Sequence, residues 1–246
     1  MTDTGFYEGL IGSVYAAAIS GQRFAEDEVF TRLVAETGGT ALELGCGTGR
    51  LLLRLLSAGH DVHGLEISDA MTQICLAGAA RLGLRPVVHP GSFAPLDSTL
   101  RGYAAMYCPL NAFSFIVDDS LALESVRSYV AALEPGGLLA LAGSAGDDTL
   151  SAQTDWVRRP DVLLPDSLVA HIEERRVPEP DGRCLKVERT IEVAGHDGRV
   201  RAAERGIQMR RLRPIAELAE MFAQANLAEL HAYGSDADYI LTGRKG

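Results

Sequence analysis

The fold is decided by residues 40–50, which read TALELGCGTGR. The apolar start of this stretch predicts a buried strand, and the run LLLRLL at 51–56, stopped by Gly59, predicts a short helix. Between them, glycines at 45, 47 and 49 predict a tight turn. Ligands of open α/β sheets bind where the central strands end, and glycine lets backbone approach them without a Cβ in the way. This turn is therefore the first candidate for a binding site.

Strands and helices alternate on both sides of this turn. Helical spacing over 6–35, broken at 20–22, predicts two helices before it. The segments predicted after it are strands 61–67, 85–89, 103–108 and 138–143, with helices 69–82, capped by Ser68, and 120–133. The alternation predicts an α/β fold with a mostly parallel sheet covered by helices on both faces.

The pattern changes after residue 150. Three segments, 168–177, 184–194 and 200–212, alternate apolar and charged residues. Turn sequences containing Asp181-Gly182 and Asp197-Gly198 join them, which predicts antiparallel hairpins. A helix over 215–227 and a hairpin of 228–233 with 239–244 are predicted to end the chain. The predicted division is a helical cap (1–37), a binding core (38–150), an antiparallel insertion (151–213) and a terminal helix and hairpin (214–246) with an antiparallel last strand.

Composition excludes several classes of protein. The 246 residues are 47% hydrophobic and 23% charged, as in ordinary globular chains, and the formal net charge is −10. Because the chain is acidic, we expect no nucleic acid as a partner. Because it has no apolar run of membrane-spanning length, we expect no membrane as a partner either. The four cysteines form no CxxC pair, which predicts reduced thiols in the cytoplasm. Basic residues concentrate in 171–213, which favours a solvated sheet face or, alternatively, a lid over the site or a homo-oligomer interface.

The turn also discriminates between cofactors. A dinucleotide fingerprint starting at Gly45 requires glycine at position 50, where this chain has Arg50, so NAD is disfavoured. Glu66 ends the second predicted strand, 21 residues after Gly45. An acid at that place accepts hydrogen bonds from ribose hydroxyls. The motif thus predicts a nucleoside cofactor other than NAD.

Three motifs resemble the class I S-adenosylmethionine-dependent methyltransferases, which have a Rossmann-like sheet. They are Glu43-Leu44-Gly45-Cys46-Gly47-Thr48-Gly49, Gly64-Leu65-Glu66-Ile67-Ser68 followed by Met71, and Leu133-Glu134-Pro135-Gly136-Gly137 before the fifth strand. The resemblance covers residues 38–145 and implies S-adenosylmethionine as cofactor. The cofactor-binding residues it implies are Glu43, Gly45, Gly47, Gly49, Glu66, Ile67, Met71, Ser92 and Phe93. Ser92 departs from the family, which often has an aspartate there.

Arg23, at the break before the second helix, is a further candidate for the cofactor site. A guanidinium pairs bidentately with a carboxylate, so Arg23 is predicted to clamp the carboxylate of the cofactor. The alternative interpretation is a surface arginine.

The acceptor side is predicted in the polar and aromatic stretch 107–115. The stretch resembles small-molecule N-methyltransferases, including those acting on amino sugars and glycine, and Asn111 is a candidate for orienting the substrate or a simple turn residue. Tyr7 and Tyr15, eight residues apart, project from one side of the first helix. With Phe115 they predict an aromatic wall near the sulfonium, as in lincosamide-antibiotic N-methyltransferases; the alternative is ordinary core packing.

The reaction predicted is methyl transfer to an amine nitrogen of a small-molecule acceptor, by direct displacement. None of the six histidines falls near the turn or residues 107–115, and no metal-ligand cluster is visible. An alcohol needs a positioned base, whereas an amine needs only to arrive unprotonated. The alternatives are an O-methyltransferase on a small molecule and a protein that binds S-adenosylmethionine without turnover. The acceptor class predicted is a natural-product, antibiotic intermediate.

Overall fold

The computed structural model describes residues 7–146, 152–180 and 182–246, in which the strands form two sheets. The larger sheet has seven strands in the order β10-β11-β5-β4-β1-β2-β3. Its strands are β1 (Ala41–Leu44), β2 (Val62–Glu66), β3 (Val87–Pro90), β4 (Tyr103–Cys108), β5 (Leu133–Gly143), β10 (Leu227–Ser235) and β11 (Asp238–Lys245). The first five run parallel, whereas β11 pairs antiparallel with both β5 and β10. The predicted fold class is confirmed.

Helices cover both faces of this sheet. They are α2 (Glu26–Thr37), α3 (Leu52–Ser57), α4 (Asp69–Arg81), α5 (Asp119–Ala132) and α6 (Ile215–Gln224), whereas α1 (Gly9–Ile19) packs on the second sheet. One core packs α5 and α6 against the face that carries Leu42 and Leu44, and another packs α2, α3 and α4 against the opposite face. Ser68 caps α4 as predicted, since its hydroxyl accepts from the Met71 N–H at 3.2 Å. Within the described ranges, no helix has the length and apolar character that crossing a membrane requires.

The second sheet is antiparallel and four-stranded, in the order β6-β7-β8-β9. Its strands are β6 (Gln153–Leu163), β7 (Val169–Pro178), β8 (Cys184–Ala194) and β9 (Val200–Arg211). One face packs on α1, where Ile11 and Val14 join Ile172 and Ile191 in a small core. The β8–β9 hairpin is confirmed; in the β7–β8 turn, Asp181 lies outside the described residues. Strand β9 is at the edge of this sheet, and it contacts residues 112–115, which follow β4 of the larger sheet.

One strand was missed, and the predicted start of another was wrong. Strand β6 was missed, because its side chains are mostly exposed and Pro160 interrupts the ladder, which only an edge strand tolerates. Strand β5 begins at Leu133 rather than 138, since Tyr103 of β4 pairs with Leu133 ahead of an irregularity in the register. The Leu133–Gly137 motif therefore lies inside the strand. The domain boundaries themselves stay a prediction.

Candidate active site

A cavity of about 500 Å³ opens where β1, β2 and β4 end. The turn after β1 and Glu66 line one part of it, and residues 109–117 and α1 line another. Four consecutive residues of β9, 207–210, complete the wall. The cavity thus joins the glycine turn to the antiparallel sheet across more than 150 residues of chain.

The three glycines of the turn have positive φ, at +70° for Gly45, +55° for Gly47 and +79° for Gly49, so each favours glycine. Their roles differ. Gly45 and Gly47 line the cavity, and a Cβ built on Gly47 meets no protein atom within 4 Å. A Cβ on Gly49 would lie 2.5 Å from the Cys75 sulfur, so Gly49 serves the packing of α4 rather than the cavity surface.

Glu66 is held by three backbone N–H donors. Its Oε1 accepts from Ile67 and Ser68 at 3.0 and 2.8 Å, and its Oε2 accepts from Gly47 at 2.8 Å. Burial raises the pKa of this carboxyl, and the three N–H groups oppose that shift. A carboxylate has about four acceptor positions, two on each oxygen, and the three N–H groups use three of them. One position on Oε2 is therefore free for a ligand in the cavity.

Glu43 lies under the turn, fully buried, and its Oε2 accepts from the Tyr107 hydroxyl at 2.8 Å. Burial raises its pKa to about 8, although the Tyr107 hydrogen bond and Arg50 act in the other direction. At neutral pH the side chain is therefore mostly protonated. A cation placed beside it would drive ionisation.

Arg50 is the guanidinium that lines the cavity beside the turn. Its Nη1 donates to both oxygens of buried Asp27, at 2.6 and 2.7 Å, and its Cζ lies 4.7 Å from the Phe24 ring centre. Its buried Nη2 has no hydrogen-bond partner among the described residues. Arg23, by contrast, is exposed and does not line the cavity, so the expected contact with a carboxylate fits Arg50 better.

The other residues expected at the cofactor line the same part of the cavity. Ile67 is 43% exposed, an unusual state for a large apolar side chain, while Met71 is buried. Ser92 and Phe93 follow β3, and the Ser92 hydroxyl already accepts from the Ala94 N–H at 2.9 Å. Ser92 can therefore still offer a ligand its proton and one acceptor lone pair.

Three aromatic side chains meet as the sequence predicted. The ring centres of Tyr7 and Tyr15 are 4.8 Å apart, and those of Tyr7 and Phe115 are 5.9 Å apart. All three line the cavity. Burial, with Tyr7 next in effect, raises the pKa of Tyr15, while Arg210 acts to lower it. The Tyr15 hydroxyl is thus protonated at neutral pH and is no general base there.

Asn111 does not line the cavity, although its neighbours Leu110 and Ala112 do. Leu110 and Asn111 have φ of +54° and +52°, a strained conformation for residues other than glycine. Glu26 fixes this turn, because its Oε1 accepts from the Leu110 N–H at 2.9 Å. The backbone of Asn111 is that of a turn residue, but its buried Nδ2 has no hydrogen-bond partner among the described residues, so its role stays a prediction.

Sequence reasoning missed Gln208 and Arg210, which enter the cavity from β9. Gln208 is buried, and the Arg210 Cζ lies 4.6 Å from the centre of the Phe115 ring. The alternation of 200–212 predicted a lid but not which side chains point inward. None of the six histidines, all in the described part of the chain, lines the cavity.

Residues 41–137, which contain the turn and Glu66, match the family described as methyltransferase domain. This part of the chain is therefore similar to a methyltransferase domain. An uncharacterized methyltransferase of Geobacillus thermodenitrificans (strain NG80-2) is 29% identical over 129 residues, 50% of this chain and 54% of the relative. The chain thus spans about half the length of the first curated relatives that it matches. The match supports the predicted enzyme class, S-adenosylmethionine-dependent methyltransferase, and its cofactor.

Solved structures of methyltransferases share the fold of the whole chain. The sugar N-methyltransferase KedS8 from Streptoalloteichus sp. ATCC 53650 has a TM-score of 0.77 at 21% identity, over 97% of this chain and 94% of that one. CalS10, an amino pentose methyltransferase from Micromonospora echinaspora, has a TM-score of 0.73 at 20% identity, over 97% and 99%. The antiparallel sheet is therefore part of the shared fold and not peculiar to this chain.

Proposed function

We propose that this protein transfers a methyl group from S-adenosylmethionine to an amine nitrogen of a small natural-product acceptor. The observation that carries the proposal is the composition of one cavity. Its glycine turn and acids suit the cofactor, and its aromatic wall of Tyr7, Tyr15 and Phe115 suits the neighbourhood of a sulfonium. When bound, the cofactor supplies an electrophilic methyl group on a cationic sulfur.

The residues around the glycine turn fit this cofactor. Glu66 has a free acceptor position for a ribose hydroxyl, and Glu43 is a buried acid that a ligand ammonium group would ionise. Arg50 has a guanidinium nitrogen without a hydrogen-bond partner in the described structure, which suits a ligand carboxylate. Gly47 leaves open space into which a side chain would otherwise project. The turn therefore offers complementary groups to both charged ends of an amino-acid moiety and to a ribose.

The absence of a base beside the aromatic wall favours nitrogen over oxygen as the acceptor. No histidine of the described chain lines the cavity, and the Tyr15 hydroxyl stays protonated. The lining carboxyls Glu43 and Glu66 are engaged at the glycine turn, by Tyr107 and by backbone N–H groups respectively. A neutral amine in line with the methyl group needs no proton removed before it attacks. The site then supplies alignment and exclusion of water.

The aromatic wall stabilises the positive charge present before and after methyl transfer. Faces of Tyr and Phe attract cationic methyl groups by about 0.5–2 kcal/mol each, so the wall stabilises the sulfonium and the alkylammonium formed on the acceptor. Structures that share the fold include a sugar N-methyltransferase and an amino pentose methyltransferase of calicheamicin biosynthesis. Both of these enzymes support an amino sugar, or a similar antibiotic intermediate, as the acceptor proposed for this chain.

The test is the mass shift of candidate acceptors after incubation with methyl-labelled cofactor. Amino sugars and other secondary-metabolite amines are compared with analogues that carry a hydroxyl in place of the amine. The expected result is label on the amines only, with S-adenosylhomocysteine formed in equal amount. Label on the hydroxyl analogues supports an O-methyltransferase instead, and tight cofactor binding with no product from any acceptor supports a binding protein.

We also propose that the antiparallel sheet joins copies of this chain. The sheet exposes large apolar side chains, with Trp156 at 37%, Leu163 at 79% and Val200 at 54%. Light scattering on a sizing column is expected to give a multiple of 26.3 kDa, and Leu163→Asp is expected to lower it. A monomer at micromolar concentration contradicts the proposal.

A further inference from the structure

We propose that Arg210 forms a subsite for an oxyanion, a carboxylate or a phosphate group, carried by the acceptor. The inference rests on the proposed function and deepens it, because it assigns a chemical class to the part of the acceptor that does not react.

Arg210 is held in place but not neutralised. Its guanidinium lies over Phe115 at 4.6 Å, and its Nε donates to Gln208 Oε1 at 3.3 Å, a long contact. The side chain lines the cavity and is half-buried. No carboxylate of the described residues lies within 4 Å of it, and its two terminal nitrogens are not among the fully buried polar atoms. They are therefore accessible to a ligand.

Arg210 differs from the other arginines on the four strands in having no carboxylate within 4 Å among the described residues. Each of the eight has a carboxylate partner: Arg158 with Asp161, Arg159, Arg176 and Arg189 with Glu174, Arg175 and Arg205 with Glu188, Arg201 with Asp197, and Arg211 with Asp119 and Glu217. The pairing is strong enough that Arg189 and Arg176 hold the pKa of Glu174 at about 2 against the effect of its burial. In a chain with ten more acids than bases, an arginine without an acid partner among the described residues leaves a charge for a ligand.

The cavity has two arginines with different neighbours. Arg50 lies at the glycine turn with Glu43 and Glu66, where the two charged ends of the cofactor's amino-acid moiety are expected, and Arg210 lies against Phe115 of the aromatic wall. A guanidinium binds carboxylate or phosphate through two parallel hydrogen bonds, which fixes orientation as well as position. A cation at this place also lowers the pKa of an acceptor ammonium nearby, which favours the neutral, nucleophilic amine.

The test is calorimetric titration of the protein, with and without saturating S-adenosylhomocysteine, using phenylacetate, phenyl phosphate and neutral phenylacetamide as probes. The ring of each probe suits the aromatic wall, so the three differ in charge at the end that would meet Arg210. We expect at least one anion to bind about tenfold more tightly than the amide. The ratio between the two anions tells a carboxylate subsite from a phosphate subsite.

Three variants complete the experiment. Arg210→Gln is expected to abolish the preference for the anion, and Arg210→Lys to keep part of it, since the charge remains without the bidentate fork. Arg205→Gln is the matched control, because Arg205 lies on the same strand but is paired with Glu188, and the preference is expected to survive there. No anion binding in the wild type, or a preference that survives Arg210→Gln, overturns the subsite. Failure of S-adenosylhomocysteine to bind would instead overturn the proposed function, and the titrations without it separate the two results.

Discussion

The two halves of the cavity are built in different ways. The half at the glycine turn comes mainly from residues 43–71, close together in sequence, with Ser92 and Phe93 beside them. Backbone hydrogen bonds hold it, such as those from Gly47 and Ser68 to Glu66. The half at the aromatic wall joins Tyr7, Phe115 and Arg210, which only tertiary packing brings together. The first half is fixed by local geometry, so it suits an invariant cofactor. The second depends on side chains of separate elements, so it can change with the acceptor.

The largest effect is expected from Gly47→Val. Valine at a φ of +55° is strained, and its branched side chain would project into the open space of the cavity. Calorimetry is expected to show affinity for S-adenosylmethionine falling by about 100-fold, equivalent to about 2.7 kcal/mol. Gly59→Val is the matched control, because Gly59 also has positive φ and free space but lies outside the cavity. If both variants lose the same affinity, the loss in Gly47→Val comes from backbone strain and not from a side chain that fills the cavity.

Glu66→Ala follows, with an expected loss of affinity of about tenfold or more. The substitution removes a charge-assisted acceptor for the ribose and also the acceptor of the Gly47 N–H, each contributing about 1–3 kcal/mol. Asp69→Ala controls for charge, since Asp69 is an exposed acid in the first turn of α4. Unchanged affinity in Glu66→Ala would show that the turn does not bind ribose as proposed.

Phe115→Ala is expected to affect the acceptor half of the cavity and not the cofactor half. Loss of the ring removes part of the aromatic wall and the surface under Arg210, so turnover should fall by about tenfold. Affinity for the cofactor should stay near that of the wild type. Parallel measurement of initial rates and calorimetry checks both, and a matching loss of cofactor affinity would mean that the halves are not independent.

A smaller effect concerns Glu43 and pH. Its pKa of about 8 in the fold exceeds the ordinary value of 4.5, so the folded state favours the protonated carboxyl. Stability contributed by this group is present below pH 4.5 and is lost as pH rises from there through about 8. Relative to Glu43→Gln, the cofactor-free wild type should lose more than about 1 kcal/mol of unfolding free energy between pH 5 and 9. If denaturant titrations give the same pH dependence of the unfolding free energy in the two proteins, the pKa of Glu43 is not raised in the fold.

The smallest effect is expected from Tyr7→Phe and Tyr15→Phe. If the rings act through shape and attraction for cations, removal of either hydroxyl should change the rate by less than about threefold. A larger loss in one variant would assign a hydrogen bond to the substrate to that hydroxyl.

The same contrast explains what the sequence predicted. The glycine turn, Glu66 and the strands around them are local patterns of apolar runs and glycine spacing, and they were predicted with nearly correct bounds. The meeting of Tyr7, Tyr15 and Phe115 was also predicted, from helical spacing, although Tyr7 lies before α1 and not on it. Gln208 and Arg210 were not, because strand alternation does not reveal which residues of an edge strand face another domain.

Arg23 and Arg50 illustrate the limit further. Arg50 follows the glycine turn directly, whereas Arg23 was predicted to clamp a carboxylate from the break before the second helix. The structure shows Arg50 anchored to buried Asp27 from α2, a contact across 23 residues, while Arg23 is exposed. Burial and pairing of this kind follow from helix packing, which no local pattern encodes.

The pH dependence of the methyl-transfer rate tests most directly the central claim, transfer to an amine without a base from the protein. With an amine acceptor identified by the mass-shift assay, the rate at saturating cofactor is predicted to rise with pH toward the pKa of that amine and to keep this profile in each of the six His→Ala variants. A profile that follows a pKa near 6.5 and disappears in one His→Ala variant would contradict the claim and favour an O-methyltransferase.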